Sequence, residues 1–131
     1  MRVLALDYGR ARTGVAVSDP TGTIARPVGV VERAGSERGI TELAELIRKH
    51  EAERVVVGLP LTLRGARGEQ AREAEMFMEA LAAATGVPVV PFDERFTTIL
   101  AEQTATSGMD EDAHAAAHLL TSYLTWASAR A

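Results

Sequence analysis

The sequence predicts an α/β fold in which a mixed five-stranded sheet carries helices on both faces. Three short apolar segments fill the first 31 residues, and the connections between them are too short for a parallel crossover. Two units of strand followed by helix come next, which is the pattern of parallel strands. The 131 residues are the length of one ordinary domain, so we expect residues 1–131 to form a single domain.

The first three strands are predicted at residues 3–6, 13–18 and 24–31. The first of them is apolar throughout, which is typical of a central strand that is covered on both faces. The short polar connection that follows it suits an antiparallel hairpin. The sequence Asp-Pro-Thr-Gly at residues 19–22 supplies the turn before the third strand.

The next elements alternate between helical and strand patterns. Ser36 can cap a first helix whose apolar positions, spaced i, i+3, i+4 and i+7, are Ile40, Leu43, Ala44 and Ile47. A β-branched strand is predicted at residues 54–58. The second helix ends at Gly86, and its apolar face is formed by Ala74, Phe77, Met78 and Leu81.

The C-terminal third is predicted to contain one strand and two helices. The strand covers residues 87–91, and the helices cover residues 98–106 and 110–129. The last helix has an apolar stripe made of Leu119, Leu120, Tyr123, Leu124 and Trp126. Because this order adds two strand–helix units to an antiparallel trio, it predicts the mixed sheet.

Composition excludes several classes of protein. The chain has no cysteine, which excludes disulfides, a thiolate nucleophile and cysteine-ligated metal sites. No apolar segment approaches the roughly 20 residues that span a bilayer. A charged residue, Asp7, interrupts the N-terminal apolar segment too early for a signal peptide. We therefore expect a cytoplasmic protein with no membrane partner.

Positive charge is concentrated in two stretches although the net charge is −4. Residues 1–31 contain four arginines against two aspartates, and residues 54–72 contain four arginines against one glutamate. Such clusters can neutralise backbone phosphates, and ordinary surface scatter is the alternative explanation. The charge distribution thus leaves nucleic-acid binding open despite the acidic total.

Carboxylates stand at the ends of three separate predicted elements. Asp7 ends the first strand, Asp93 and Glu94 follow the fifth strand, and residues 110–112 begin the last helix. Each has a purely structural alternative, because acids favour turns and the first turns of helices. Together, carboxylates from distant element ends can converge to hold a hard divalent cation through oxygen.

Four segments resemble the motifs of the YqgF (RuvX) family, in order and nearly end to end. They are LALDYGRARTGVAVSD at residues 4–19, VVGLP at 56–60 with Gly65, VPFDERFTT at 90–98, and DAHAAAHLLTSYL at 112–124. The resemblance implies the ribonuclease H-like fold. It also implies a metal-dependent nuclease that processes the 5′ end of pre-16S ribosomal RNA, or a Holliday junction resolvase.

The resemblance implicates Asp7, Glu94 and Asp112 as the catalytic, metal-binding acids. Many members of the wider superfamily carry an acid at the end of the fourth strand, where this chain has Gly58, so Glu94 would supply the missing oxygen. Such an all-oxygen site predicts Mg²⁺ or Mn²⁺ as cofactor. The implied reaction is hydrolysis of a phosphodiester bond with two metal ions about 4 Å apart.

The predicted partner is nucleic acid, bound by phosphate contacts from Arg12, Arg64, Arg67 and Arg95. The residues are compatible with both RNA and branched DNA. They are also compatible with a monomer or a homodimer, and junction resolution would need two active sites.

Two other functions compete with nuclease activity. The same carboxylates could hold one structural ion in a non-catalytic, RNA-binding factor for ribosome assembly. The strand turn at Asp7 also resembles the first phosphate motif of actin-like kinases. Those kinases need two such domains, for which 131 residues are too few.

Overall fold

The structure, a computed structural model, describes residues 1–59, 69–93 and 111–129, with the backbone alone for residues 69–71. In chain order the elements are β1 (Val3–Asp7), β2 (Arg12–Ser18), β3 (Ala25–Glu32), α1 (Glu37–Lys49), β4 (Arg54–Leu59), α2 (Glu69–Thr85), β5 (Val89–Asp93) and α3 (Glu111–Ala129). The helix predicted at residues 98–106 lies outside the described residues.

The five strands form one sheet in the order β3-β2-β1-β4-β5. β1 pairs antiparallel with β2, and β2 pairs antiparallel with β3. β4 joins the other side of β1 in parallel, and β5 joins β4 in parallel. The predicted mixed sheet is confirmed, with β1 at its centre.

Both faces of the sheet are covered, as the sequence predicts. Leu4 and Leu6 of β1 are fully buried in a core that also contains Leu43 of α1 and residues of α2. Val3 and Ala5 alternate with them and belong to a second core, which includes Leu120 of α3. Since successive side chains of a strand point to opposite faces, α1 and α2 cover one face and α3 covers the other.

Two helix ends have the chemistry that the sequence predicts. Ser36 is the N-cap of α1, and its Oγ accepts a hydrogen bond of 3.0 Å from the backbone N–H of Gly39. α2 ends at Thr85, and the next residue, Gly86, has a φ of 72°. A glycine at this position avoids the steric cost that a Cβ would bring in the left-handed region.

β5 differs from its predicted position by two residues. It runs from Val89 to Asp93 instead of over residues 87–91. The Pro88 carbonyl accepts a hydrogen bond of 2.9 Å from the Val55 N–H just before the strand begins. Because the strand also ends two residues later than predicted, Asp93 lies inside it, whereas the sequence pattern placed Asp93 in the following turn.

The last helix is packed differently from its predicted stripe. Leu119, Leu120 and Tyr123 are buried, as predicted. Trp126 is 38% exposed, and its ring makes an edge contact with Phe92 at a centroid distance of 5.8 Å. It therefore lies at the margin of the core that the stripe assigned it to.

Small residues let α3 approach the sheet closely. Three alanines that the stripe omitted, Ala113, Ala116 and Ala117, are buried against it. Because alanine side chains are short, the backbone of α3 can lie close to the strands.

Among the described residues, no helix combines the length and the apolar character needed to cross a bilayer.

Each edge strand of the sheet contains a proline. Pro27 lies in β3, opposite Ala16, where the pairing of β2 and β3 shifts register between Val15 and Ala16. Pro91 lies in β5, opposite Val57. Proline has no N–H to give to a ladder, so its occurrence at edges and bulges follows the usual rule for sheets.

Candidate metal site

Asp7 lies at the carboxyl end of the central strand, with a glycine on each side of it. In the register of the sheet it is paired with Gly14 of β2 and with Gly58 of β4. Alternation along β1 puts Asp7 on the same face as Ala5, which is the face covered by α3. The two neighbouring positions on this face therefore have no side chain beside the half-buried carboxylate.

The first turn of α3 lies directly against Gly14 of β2. A Cβ built on Gly14 would overlap the backbone carbonyl of Asp112 and would lie 3.1 Å from the Ala113 nitrogen. Only a residue without a side chain allows this approach. Because Gly14 pairs with Asp7, the contact brings the first turn of α3 to the strand beside Asp7.

An ion pair joins the β1–β2 hairpin to the same turn of α3. Arg12 Nε lies 3.0 Å from Asp112 Oδ2, and the two side chains are 51% and 40% exposed. Thr13, which is fully buried, closes the hairpin. Its Oγ1 accepts a hydrogen bond from the Gly9 N–H and donates one to the Gly9 carbonyl, each at 3.3 Å.

The hairpin is anchored on the opposite face as well. Arg10 binds Glu73 of α2 through Nε and Nη2, with the shortest distance 2.9 Å. The ring of Tyr8 stacks on Phe77 of α2 at a centroid distance of 4.4 Å. Burial raises the pKa of Tyr8, and the charge of Glu73 adds to this effect while Arg10 opposes it.

The predicted positive patch around Arg10 and Arg12 is thus partly neutralised within the protein. Arg10 pairs with an acid of α2 and Arg12 with an acid of α3, on opposite faces of the sheet. Each arginine side chain nevertheless remains more than half exposed. Composition alone could not show this, because both acids are more than 60 residues away in the chain.

Asp93 lies on the other side of the sheet from Asp7. It is paired with Leu59, whose side chain belongs to the core under α1 and α2, and it is buried. Paired residues of neighbouring strands point to the same face, so Asp93 faces away from α3. The predicted site residues Glu94, Arg64, Arg67 and Arg95 lie outside the described residues, as does Asp110.

The residues present fit a hard divalent cation in chemistry. Asp7 offers a carboxylate from β1, and Asp112 offers one from the turn of α3 that contacts Gly14, the β2 residue paired with Asp7. Oxygen-only donors suit Mg²⁺ and Mn²⁺ better than they suit zinc. Over residues 1–59, 69–93 and 111–129, no cluster of three or more potential ligand side chains occurs.

Two other ionisable groups with shifted pKa values lie away from this site. A hydrogen bond from Thr21 and backbone N–H groups of Ile24 and Thr23 hold the pKa of Asp19 well below its usual range, and these bonds close the β2–β3 turn. The pKa of His50, at the end of α1, is lowered. Its causes are burial first and then the charges of Lys49, Arg26 and Arg2.

The two glycines that flank Asp7 in the sheet, Gly14 and Gly58, were not predicted to adjoin the candidate site. The lack of an acid at Gly58 is visible in the sequence, whereas the flanking of Asp7 by two glycines on one face is visible only in the register of the sheet. The available signal was their position in the first two motifs, Gly14 in the motif at residues 4–19 and Gly58 in the motif at residues 56–60. The pairing of Arg12 with Asp112 gave no local signal at all.

The sheet order and the carboxylate at the end of the central strand define a ribonuclease H-like α/β fold. The RuvC protein of Thermus thermophilus, in complex with a Holliday junction substrate, superposes with a TM-score of 0.66 at 20% identity, over 98% of this chain and 96% of that one. The fowlpox virus Holliday junction resolvase superposes with a TM-score of 0.57 at 11% identity, over 96% and 99%. These similarities establish the fold.

Sequence comparison is more specific. Residues 1–126 match the model of the RuvX family, which is described as "Holliday junction resolvase". The chain belongs to the RuvX family, as its motifs predicted.

Similar chains in this family are named "Putative pre-16S rRNA nuclease". One from Chloroflexus aurantiacus is 46% identical over 77% of this chain, and one from Anaeromyxobacter dehalogenans is 42% identical over 95%. The match spans 66% of the length of the Chloroflexus relative and 96% of the Anaeromyxobacter relative.

Proposed function

We propose that this protein is a divalent-metal-dependent nuclease that hydrolyses phosphodiester bonds in the 5′ region of pre-16S ribosomal RNA. The cofactor is Mg²⁺ or Mn²⁺, and the proposed ligands are Asp7, Glu94 and Asp112. We place this activity in the cytoplasm.

The observation that carries this proposal is the contact of α3 with Gly14 of β2, the residue that is paired with Asp7 of β1. It brings Asp7, at the end of the central strand, to the turn of α3 that contains Asp112. Two carboxylates at one exposed edge of a sheet form the start of a cation site. The substrate class comes from the relatives, whose names specify a pre-16S rRNA nuclease.

Glu94 is proposed as the third ligand because its neighbour, Asp93, lies on the face of the sheet that points away from Asp7. Asp93 is paired with Leu59 and faces α1 and α2, away from Asp7. In an extended segment the next residue points to the opposite side. Glu94 is thus the acid of the pair that alternation favours, in agreement with the family motif.

The chemistry divides between acids and arginines. When bound, the metal supplies activation of the attacking water and neutralises charge on the leaving oxygen. Asp7, Glu94 and Asp112 hold it and give the site its negative charge. Arg12, Arg64, Arg67 and Arg95 bind the phosphates on either side of the scissile bond and fix the strand for in-line attack.

A second candidate function is the resolution of Holliday junctions. The description of the matching family favours it, since that description names this activity. Junction resolution cuts two strands and would require two copies of the chain acting together. RNA processing needs one active site only.

One preparation of the protein should be tested side by side on a pre-16S 5′ leader RNA and on a four-way DNA junction. We expect cleavage of the RNA with Mg²⁺ or Mn²⁺, binding without efficient cleavage with Ca²⁺, and no cleavage in EDTA. Ca²⁺ tolerates looser coordination than an in-line transition state requires. Asp7→Asn, which removes a charge and almost no volume, should bind the RNA without cutting it.

Each other outcome has a definite meaning. Cleavage of the junction alone would replace the RNA substrate by branched DNA. Full cleavage in excess EDTA, or by Asp7→Asn, would overturn the metal-dependent site. Tight RNA binding with no cleavage under any metal would favour the non-catalytic assembly factor.

A further inference from the structure

Arg12 occupies a position that conflicts with a simple role in phosphate binding. Its guanidinium is 3.0 Å from Asp112 Oδ2, the carboxylate that the proposed site needs for a cation. The guanidinium occupies one of the two oxygens that Asp112 could offer to a cation, and its positive charge repels a divalent cation bound at the same carboxylate. The ion pair and full coordination by Asp112 therefore oppose each other.

The backbone around this pair is fixed, which leaves the side chains as the parts that exchange. Thr13 is fully buried and ties the hairpin to Gly9. The overlap that a Cβ at Gly14 would make with the Asp112 carbonyl shows that the first turn of α3 is pressed against β2. Both side chains are between 40% and 51% exposed, so Arg12 can swing into solvent without disturbing the core.

We propose that Arg12 is the resident counter-ion of Asp112 and that a divalent cation displaces it, which frees the guanidinium for a phosphate of the substrate. This exchange rests on the proposed function, since it needs the metal site at Asp7 and Asp112. It makes Arg12 a positioning residue that couples metal binding to nucleic-acid binding. In the metal-free protein the arginine is held by Asp112 and contributes little to phosphate binding.

The exchange predicts that removal of Arg12 tightens metal binding. Mn²⁺ affinity of the full chain should be measured by calorimetry at about 0.1 M KCl. Arg12→Ala should bind Mn²⁺ about 1.5- to 5-fold more tightly than the native chain, the range that exposed ion pairs predict. Arg12→Lys, which retains a competing charge, should gain less.

Controls separate this local competition from a general change in charge. Arg10→Ala removes an exposed arginine of the same hairpin that pairs with Glu73 instead, and it should leave the Mn²⁺ affinity unchanged. When Asp112 is already replaced by Asn, Arg12→Ala should no longer change the Mn²⁺ affinity. This double-mutant cycle removes the carboxylate with which Arg12 pairs. A structural role of Arg12 would instead weaken Mn²⁺ binding.

A second measurement tests the coupling to nucleic acid. Binding of a 15-nucleotide oligouridine RNA should be measured against salt concentration, with Ca²⁺ and with EDTA. In Ca²⁺ the log–log slope of Arg12→Ala should be smaller than that of the native chain by about 0.7, the value of one phosphate contact on a single strand. In EDTA the two slopes should agree.

The outcomes distinguish the exchange from the proposed function. Loss of Mn²⁺ binding in Asp7→Asn together with native affinity in Arg12→Ala overturns the exchange alone. Equal slope differences in Ca²⁺ and in EDTA also overturn it, since Arg12 would then bind phosphate whatever the metal. If the native chain binds no Mn²⁺, the metal site itself is wrong and the exchange fails with it.

Discussion

Replacing Gly14 with alanine should dislodge the first turn of α3. The new Cβ would overlap the carbonyl of Asp112 and lie 3.1 Å from the nitrogen of Ala113, and all of these are backbone atoms. Backbone cannot rotate away as a flexible side chain can, so the strand or the helix must shift. Overpacking of this kind costs about 1–3 kcal/mol.

That cost should be visible in thermal unfolding. At about 4 °C per kcal/mol for a chain of this size, the Tm of Gly14→Ala should fall by roughly 4–12 °C. Mn²⁺ affinity should fall as well, because the displaced turn contains Asp112. Far-UV circular dichroism during heating and calorimetry with Mn²⁺ measure the two effects.

Gly29→Ala is the matched control. Gly29 is also a strand glycine, but a Cβ there would meet no atom within 4 Å. The substitution reduces the conformational freedom of the unfolded chain, so it should be neutral or stabilise the fold by about 0.4–1 kcal/mol. If Gly14→Ala unfolds at the same temperature as Gly29→Ala, the contact between α3 and β2 does not constrain the fold.

Three further outcomes are expected. Glu94→Gln should abolish cleavage and keep the fold, whereas Asp93→Asn should keep more activity, because Asp93 is buried on the face of the sheet away from Asp7. Cleavage and thermal unfolding of both variants test this, and an inert Asp93→Asn beside an active Glu94→Gln would reverse the assignment. Arg64→Ala combined with Arg67→Ala should reduce the salt slope of duplex DNA binding by about 1.8, and an unchanged slope would mean that neither arginine contacts phosphate. His50 has a lower pKa in the folded chain than in the unfolded chain. As the pH falls below about 6.5, the unfolded chain therefore binds a proton before the folded chain does, and stability is lost from that pH downwards. His50→Gln should flatten this loss in urea unfolding between pH 7 and pH 5, and equal pH dependence in both proteins would contradict it.

The sheet could be predicted from sequence because its signals are local. Apolar segments, short connections and a capping serine each act within a few residues, and they predict the strand directions and the start of α1 correctly. The boundaries of β5 could not be predicted, since Val87 and Val89 look alike in sequence. Pairing with β4 decides the matter, and that interaction joins residues more than 30 positions apart.

The candidate site was predictable as a set of residue types but not as an arrangement. The motifs predict Asp7 and Asp112 as ligands without showing how β1 and α3 are placed relative to each other. The structure shows this placement at Gly14, a residue whose importance lies in the space it leaves for another element. The same limit applies to Trp126, because its place in an apolar stripe gives no measure of how far the core extends.

The prolines of the two edge strands influence how copies of this chain can associate. A second molecule that extended the sheet at β3 or β5 would meet Pro27 or Pro91, where the continuous row of N–H donors is interrupted. Growth of the sheet from one molecule to the next is therefore disfavoured, which protects the protein against aggregation through its edges. Contacts through helices or loops are therefore the more favourable way for two copies of the chain to associate. The distance between their active sites would then be set by helix packing and not by the 4.8 Å spacing of strands.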